Sequence, residues 1–134
     1  MHATLTNADV QATPADTLRG AALYLQRHGW TRCSYFDGER PTPPACVQGA
    51  IAVAAYGVAT EHPYSQDFPQ RRLFARTIKF FDAYIRSLVT ELDDEDYNAT
   101  VWNDQPGRTA AEVITTLRDA AERWDAAHTA QGRR

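Results

Sequence analysis

The residues best suited to chemistry in this chain are Cys46 and the imidazoles and carboxylate that a fold can bring to it. Cys46 follows Pro43-Pro44 and opens an apolar run, which places its sulfur in the first turn of a helix. Free N–H groups and the helix dipole favour a thiolate there. His28 or His62 would then act as the base, and Asn103 or Asp104 would orient the ring, in a nucleophile, base and orienter arrangement. Packing is the simpler account of Cys46, because cysteine is among the residues most often buried as a small hydrophobe. By type, His28, Cys33, Cys46 and His62 are also adequate zinc ligands. Their spacing matches no common finger, and His28 at a helix end more simply meets the last carbonyls, so no metal is expected.

Two charged stretches and one loop carry weaker signals. Arg72, Arg76, Lys79 and Arg86 recur at helical spacing and form a basic stripe, which would contact phosphates in a nucleic-acid binder. No helix-turn-helix accompanies it, and a solvated helix face is the better account. The acidic run Glu91, Asp93, Asp94, Glu95, Asp96 lacks the alternating ligands and central glycine of a calcium loop and reads as a solvated turn. Trp102-Asn103-Asp104-Gln105-Pro106-Gly107-Arg108-Thr109 is the most singular segment: an aromatic, two turn-forming polar residues and an arginine precede a helix N-terminus. It would present a ligand-binding edge. The structural alternative has Trp102 anchoring the loop, Asp104 pairing with Arg108, and Thr109 capping the helix.

Composition limits what these residues can belong to. A chain of 134 residues supports one domain, since two would each be near the lower limit for burying a core. Hydrophobic residues make up 43%, but 22 of them are alanine and only 24 residues are Leu, Ile, Val or Phe, so the core is lean. Three Trp, six Tyr and a net charge of -3 still favour a folded chain over a disordered one. With a pI near 5.7 there is no global basic field for nucleic acid, which is a disfavoured partner. No run approaches the roughly 20 apolar residues of a membrane span, and MHATLTNADVQATPAD lacks the blocks of a signal peptide. A cytoplasmic location is the expectation. Cys33 and Cys46 form no CxxC pair and indicate no disulfide framework, and no motif calls for a cofactor.

The elements that must position these residues are mainly helical. Residues 1–12 and 129–134 read as flexible tails around one helical domain at 13–128. Thr13-Pro14-Ala15-Asp16 supplies a cap, a first-turn proline and an acid, and His28-Gly29 a stop; Leu18, Ala21, Ala22, Leu25 and His28 mark the buried face between. Trp30 to Pro44 reads as a small hairpin or irregular excursion turning at Asp37-Gly38. ACVQGAIAVAAYGVA, from about Pro43 to Val58, predicts a buried Ala-rich helix whose small side chains admit close neighbours; Ile51 and Val53 keep a strand alternative open. After a loop, Phe74, Ile78, Phe81, Ile85, Leu88 and Leu92 predict a long amphipathic helix ending near Leu92, widened by Leu73, Tyr84 and Val89. Thr109 to Glu112 is a capping box for the last helix, with Val113, Ile114, Leu117, Ala121 and Trp124 inward and Arg118–Glu122 and Asp119–Arg123 paired outside. The fold class is therefore all-α, a bundle of about four helices around the Ala-rich one.

LRGAALYLQRHGW, ACVQGAIAVAA and above all VWNDQPGRTAAEVITTLRDA resemble a family of small actinobacterial and actinophage proteins known as a domain of unknown function. The resemblance covers most of the chain. Relatives commonly carry an aromatic before the cysteine, where this chain has Ala45, and a second cysteine after the tryptophan, where it has Thr31. The resemblance implies a shared helical fold and no particular activity.

The leading functional expectation is a ligand- or protein-binding accessory module. It would use the loops 30–44 and 102–108, with Trp30, Trp102, Asn103, Asp104 and Arg108 as contacts to an unidentified protein or small molecule. An enzyme built on Cys46, His28, His62 and Asp104 is the alternative, and nucleic-acid binding through the helix 3 stripe the second alternative. The apolar stripe on residues 73 to 92 exceeds what a thin bundle must cover, which also allows a homodimer.

Overall fold

The computed structural model describes residues 12–89 and 97–132, with side chains through His128. The acidic run, Leu92 and residues 1–11 lie outside the described residues. Thr13 starts helix α1 (Pro14–His28) through a reciprocal box: its hydroxyl accepts from the Asp16 N–H at 3.2 Å, while the Asp16 carboxylate accepts from the Thr13 N–H at 2.9 Å. Two otherwise orphaned donors are satisfied in this way. Gly29, at φ 101°, ends the helix in a conformation that L side chains rarely adopt.

Helix α2 (Val47–Tyr56) begins later than Pro43 because Ala45 is already committed elsewhere. The Ala45 N–H donates to the Gly29 carbonyl at 3.1 Å and its carbonyl accepts from Thr31 at 2.9 Å, which keeps this stretch extended. On the other side Asp37 N–H donates to Pro44 O at 2.9 Å and Cys46 N–H to Tyr35 O at 3.0 Å. Of the two forms open to Trp30–Pro44, a small hairpin or an irregular excursion, the structure has the irregular one, with no strand ladder closing within it among the described residues. Instead both flanks of the excursion pair with Ala45, through a parallel bridge at Trp30 and an antiparallel one at Phe36. No longer strand occurs among the described residues. Cys46 becomes the N-cap of α2, and Gly57 in the left-handed region ends it.

Helix α3 (Arg71–Leu88) follows a 3-10 turn at Pro63–Ser65 and buries Phe74, Thr77, Ile78, Phe81 and Ile85. It stops short of Leu92, with Val89 extended, and Leu88 is 52% exposed rather than inward. A short helix without a sequence signature of its own, α4 (Ala99–Asn103), comes next. At one turn it is too short to show a period. Asn98 caps it by accepting from the Val101 N–H at 3.0 Å, and Asp82 of α3 accepts from the Ala99 N–H at 2.8 Å. Helix α5 (Ala110–Gly132) starts at the expected Thr109–Glu112 box and continues past residue 128. Its outward charges do not pair along the helix: Arg118 reaches Gln26 Oε1 at 2.8 Å, and Arg123 lies over the Tyr84 ring.

The result is a mainly helical bundle of five α-helices among the described residues. Helix α1 packs against α5, α2 and α3, and α4 packs on α2 and α3. Ala15, Leu18, Ala22, Ala50, Ile51, Val113, Leu117 and Ala121 are buried at the centre. Small residues allow the close packing that the lean composition demands: a Cβ on Gly20 would lie 3.1 Å from the Ala54 Cβ. Among the described residues no helix is long and apolar enough to cross a membrane.

Candidate functional site

The two loops that the sequence singles out meet around one side chain. Asn103, the last residue of α4, is fully buried and uses both ends of its amide. Its Oδ1 accepts from the Trp30 indole at 2.7 Å and from the Val47 N–H, the first of α2, at 3.0 Å. Its Nδ2 donates to the Thr31 carbonyl at 3.2 Å and to Asp104 Oδ1 at 2.9 Å. Asp104 Oδ1 also accepts from the Cys33 N–H at 2.9 Å, and Arg32 donates to the carbonyls of Asp104 and Gln105. Excursion, α2 N-terminus and α4 are thus tied by polar bonds, each with a defined direction and length.

Below this junction lies a cavity of about 200 Å³ lined by Cys33, Ser34, Tyr35, Cys46, Thr100, Asn103 and Asp104. That is somewhat larger than a cavity that holds benzene, about 150 Å³. Cys33 is exposed and has φ 68°, a left-handed conformation that costs an L side chain about 1–2 kcal/mol. Cys46 is buried, and its Sγ accepts from the Gly49 N–H at 3.4 Å. Burial pushes the Cys46 thiol up, outweighing the N–H groups of Gly49 and Gln48 that favour the thiolate, and the Asp104 charge pushes it further. The activation expected from a helix N-terminus is therefore reversed. Burial, with Cys46 nearby, also keeps the Tyr35 phenol above its ordinary value. Asp104 supplies the one carboxylate among the lining residues.

The other candidates are placed apart. His28 lies tilted against Tyr24, with ring centroids 4.7 Å apart and planes at 51°, and lines a separate groove with Gly20, Leu23 and Val53. His62 is exposed ahead of the 3-10 turn. Neither imidazole lines the Cys46 cavity. Trp102 is 4% exposed, edge-on to Phe81, with the Arg108 guanidinium 4.4 Å from its ring centroid. Arg108 pairs with Glu112 at 3.2 Å and donates to Trp102 O, rather than meeting Asp104. Trp102 and Asn103 are thus buried and hold the loop, and Asn103 also lines the cavity. Arg72, Arg76, Lys79 and Arg86 are all exposed on α3; Arg76 lies over the Trp124 ring and Arg86 donates to Tyr97 O. No group of three or more potential metal-ligating residues converges among the described residues.

Residues 9–123 match a family of unknown function, DUF6197. The chain belongs to this family. No curated protein and no solved structure matches it. The matched span includes the whole junction, from Trp30 through Asn103 to the Thr109 cap of α5. Ser34, Tyr35 and Thr100 were missed as individual lining residues. Ser34 and Tyr35 fall in the excursion already singled out, but no periodicity or motif marks them, and Thr100 belongs to the helix that sequence reading overlooked.

Proposed function

We propose that this family member is a small-ligand-binding accessory module whose site is the cavity under residues 33–35. One observation carries the reading: loops 30–44 and 102–108 converge through Asn103 and leave a partly open cavity instead of filling it. The space is served by a carboxylate, a phenol and two thiols. Asp104 makes the local field negative, and both hydrogen bonds of its carboxylate among the described residues fall on Oδ1. The chemistry favours a small ligand carrying an amine or another strong hydrogen-bond donor. Trp30, Trp102, Asn103 and Arg108 hold the walls, and Cys33, Tyr35, Thr100 and Asp104 face the ligand.

Ligand-observed NMR with a panel of primary amines, amides and carboxylates of benzene-like size tests this. Amines should bind preferentially, and Asp104→Asn, which keeps an Oδ1 acceptor for Cys33 and Asn103, should weaken them by about tenfold or more. Equal binding of amines and carboxylates, or no response to the substitution, would overturn the assignment.

A further inference from the structure

The chain path between Trp30 and Phe36 puts one cysteine across the other. Residues 29–31 run parallel to 44–46 on one side, and residues 35–37 return antiparallel on the other. The chain must therefore cross between two strand positions, about two ladder spacings of 4.8 Å apart. It does so at the end where Ala45 gives way to Cys46 and α2. Cys33 is the middle residue of that crossing, and its neighbours Arg32 and Ser34 are exposed with no core side chain to anchor them. Both thiols are free and line the same cavity.

We propose that Cys33 and Cys46 form a reversible disulfide that draws the crossing onto the α2 N-terminus and closes the cavity. The closure rests on the binding reading above, whereas the covalent step stands on the crossing alone. A disulfide requires Cα atoms about 4.4–6.8 Å apart. The crossing settles towards Cys46 as the bond forms, resisted mainly by surface hydrogen bonds from Arg32 and from the Cys33 N–H.

The oxidant is a low-molecular-weight disulfide, RSSR. The exposed Cys33 thiolate attacks one of its sulfurs, forming Cys33–S–S–R and releasing RS⁻. The Cys46 thiolate then attacks Cys33 Sγ, forming the internal bond and releasing the second RS⁻. The two protons given up by the protein thiols end on the two RS⁻ groups. The protein is oxidised by two electrons and RSSR is reduced by two. Excess RSH reverses both steps.

The test uses the full chain equilibrated with glutathione disulfide and glutathione at pH 8, quenched in acid, alkylated under denaturing conditions and weighed intact. The expected product is a monomer lighter by two hydrogens, with neither cysteine alkylated. Cys46→Ser, which preserves a good N-cap, should stop as a single glutathione adduct on Cys33. Cys33→Ser, a substitution at an exposed site, should slow all modification at least about tenfold, because the remaining thiol is buried. A stable Cys33 adduct in the wild type with Cys46 still alkylatable, or intermolecular dimers alone, would overturn the proposal. The same amine panel on the oxidised protein separates the two readings. Binding confined to the reduced form supports closure, and equal binding to both forms overturns it. An internal disulfide with amine binding to neither form would refute the ligand reading and leave the covalent step standing.

Discussion

The α1–α5 contact and the junction around Asn103 are built from opposite materials. Helices α1 and α5 pack together and bury Ala15, Leu18, Val113, Leu117 and Ala121 in the core, with Arg19–Asp125 and Gln26–Arg118 joining them at the exposed margin. Apolar contact is non-directional, so it tolerates changes that keep volume. At the junction, one amide serves an indole, a helix N-terminus, a loop carbonyl and a carboxylate. Each of those bonds has a fixed direction, and a buried partner left unmatched carries its full desolvation cost. The first region supplies stability broadly, and the second supplies position at a few atoms. A cavity with defined walls belongs in the second.

The sharpest way to break this contrast is a near-isosteric change in each region. Asn103→Leu leaves the Trp30 indole, the Val47 N–H and the Thr31 carbonyl without their partner, and should cost about 3–5 kcal/mol in denaturant unfolding. Leu18→Met, fully buried in α1, should cost less than about 1.5 kcal/mol. Equal losses would end the distinction.

Two glycines give the next comparison. A Cβ at Gly49 would collide with the Tyr35 carbonyl oxygen, which is backbone and is held by the Cys46 N–H. Gly49→Ala should cost about 2 kcal/mol despite the gain of about 1 kcal/mol in helix propensity, and should shift the Tyr35 and Cys33 amide resonances. Gly20→Ala meets only the Ala54 methyl at 3.1 Å, so its unfolding free energy should move by less than about 1 kcal/mol.

Arg108 sharpens the contrast at the junction's edge. Arg108→Ala removes its place over Trp102, its bond to the Trp102 carbonyl and its Glu112 pair, for an expected loss of about 1–2 kcal/mol. Arg19→Ala, which breaks an exposed pair in the apolar region, should change stability by less than about 1 kcal/mol, and the effect should fade in salt.

The smallest effect is a pH slope. Cys46 has a folded pKa above its unfolded value, so the native state holds its proton longer. Its contribution to stability is complete below the unfolded thiol value, near about 8.5, and is lost as pH rises through the folded value. Unfolding curves across that alkaline range should therefore be flatter for Cys46→Ser than for wild type. Identical slopes would show that the Cys46 environment does not favour the thiol.

Helical class, the caps at Thr13 and Thr109 and the buried faces of α1, α3 and α5 were legible because they depend on neighbours a few residues apart. Phe74, Ile78, Phe81 and Ile85 declare their face by spacing, and Thr109 and Glu112 bond across one turn. The prominence of the Trp102 to Thr109 segment was legible too, but the parts played by its residues were not. The burial of Trp102 and Asn103 has no local signature, and Leu88, in phase with the apolar stripe, is exposed. The pairing of Ala45 with both Trp30 and Phe36, the burial that favours the protonated Cys46, the separation of His28 and His62 from it, and the sharing of one cavity by Cys33 and Cys46 all belong to the tertiary structure. Local periodicity repeats along a chain and can be read there. Hydrogen bonds between residues seventy positions apart, and the desolvation that sets a thiol's proton affinity, exist only once the chain has folded back on itself.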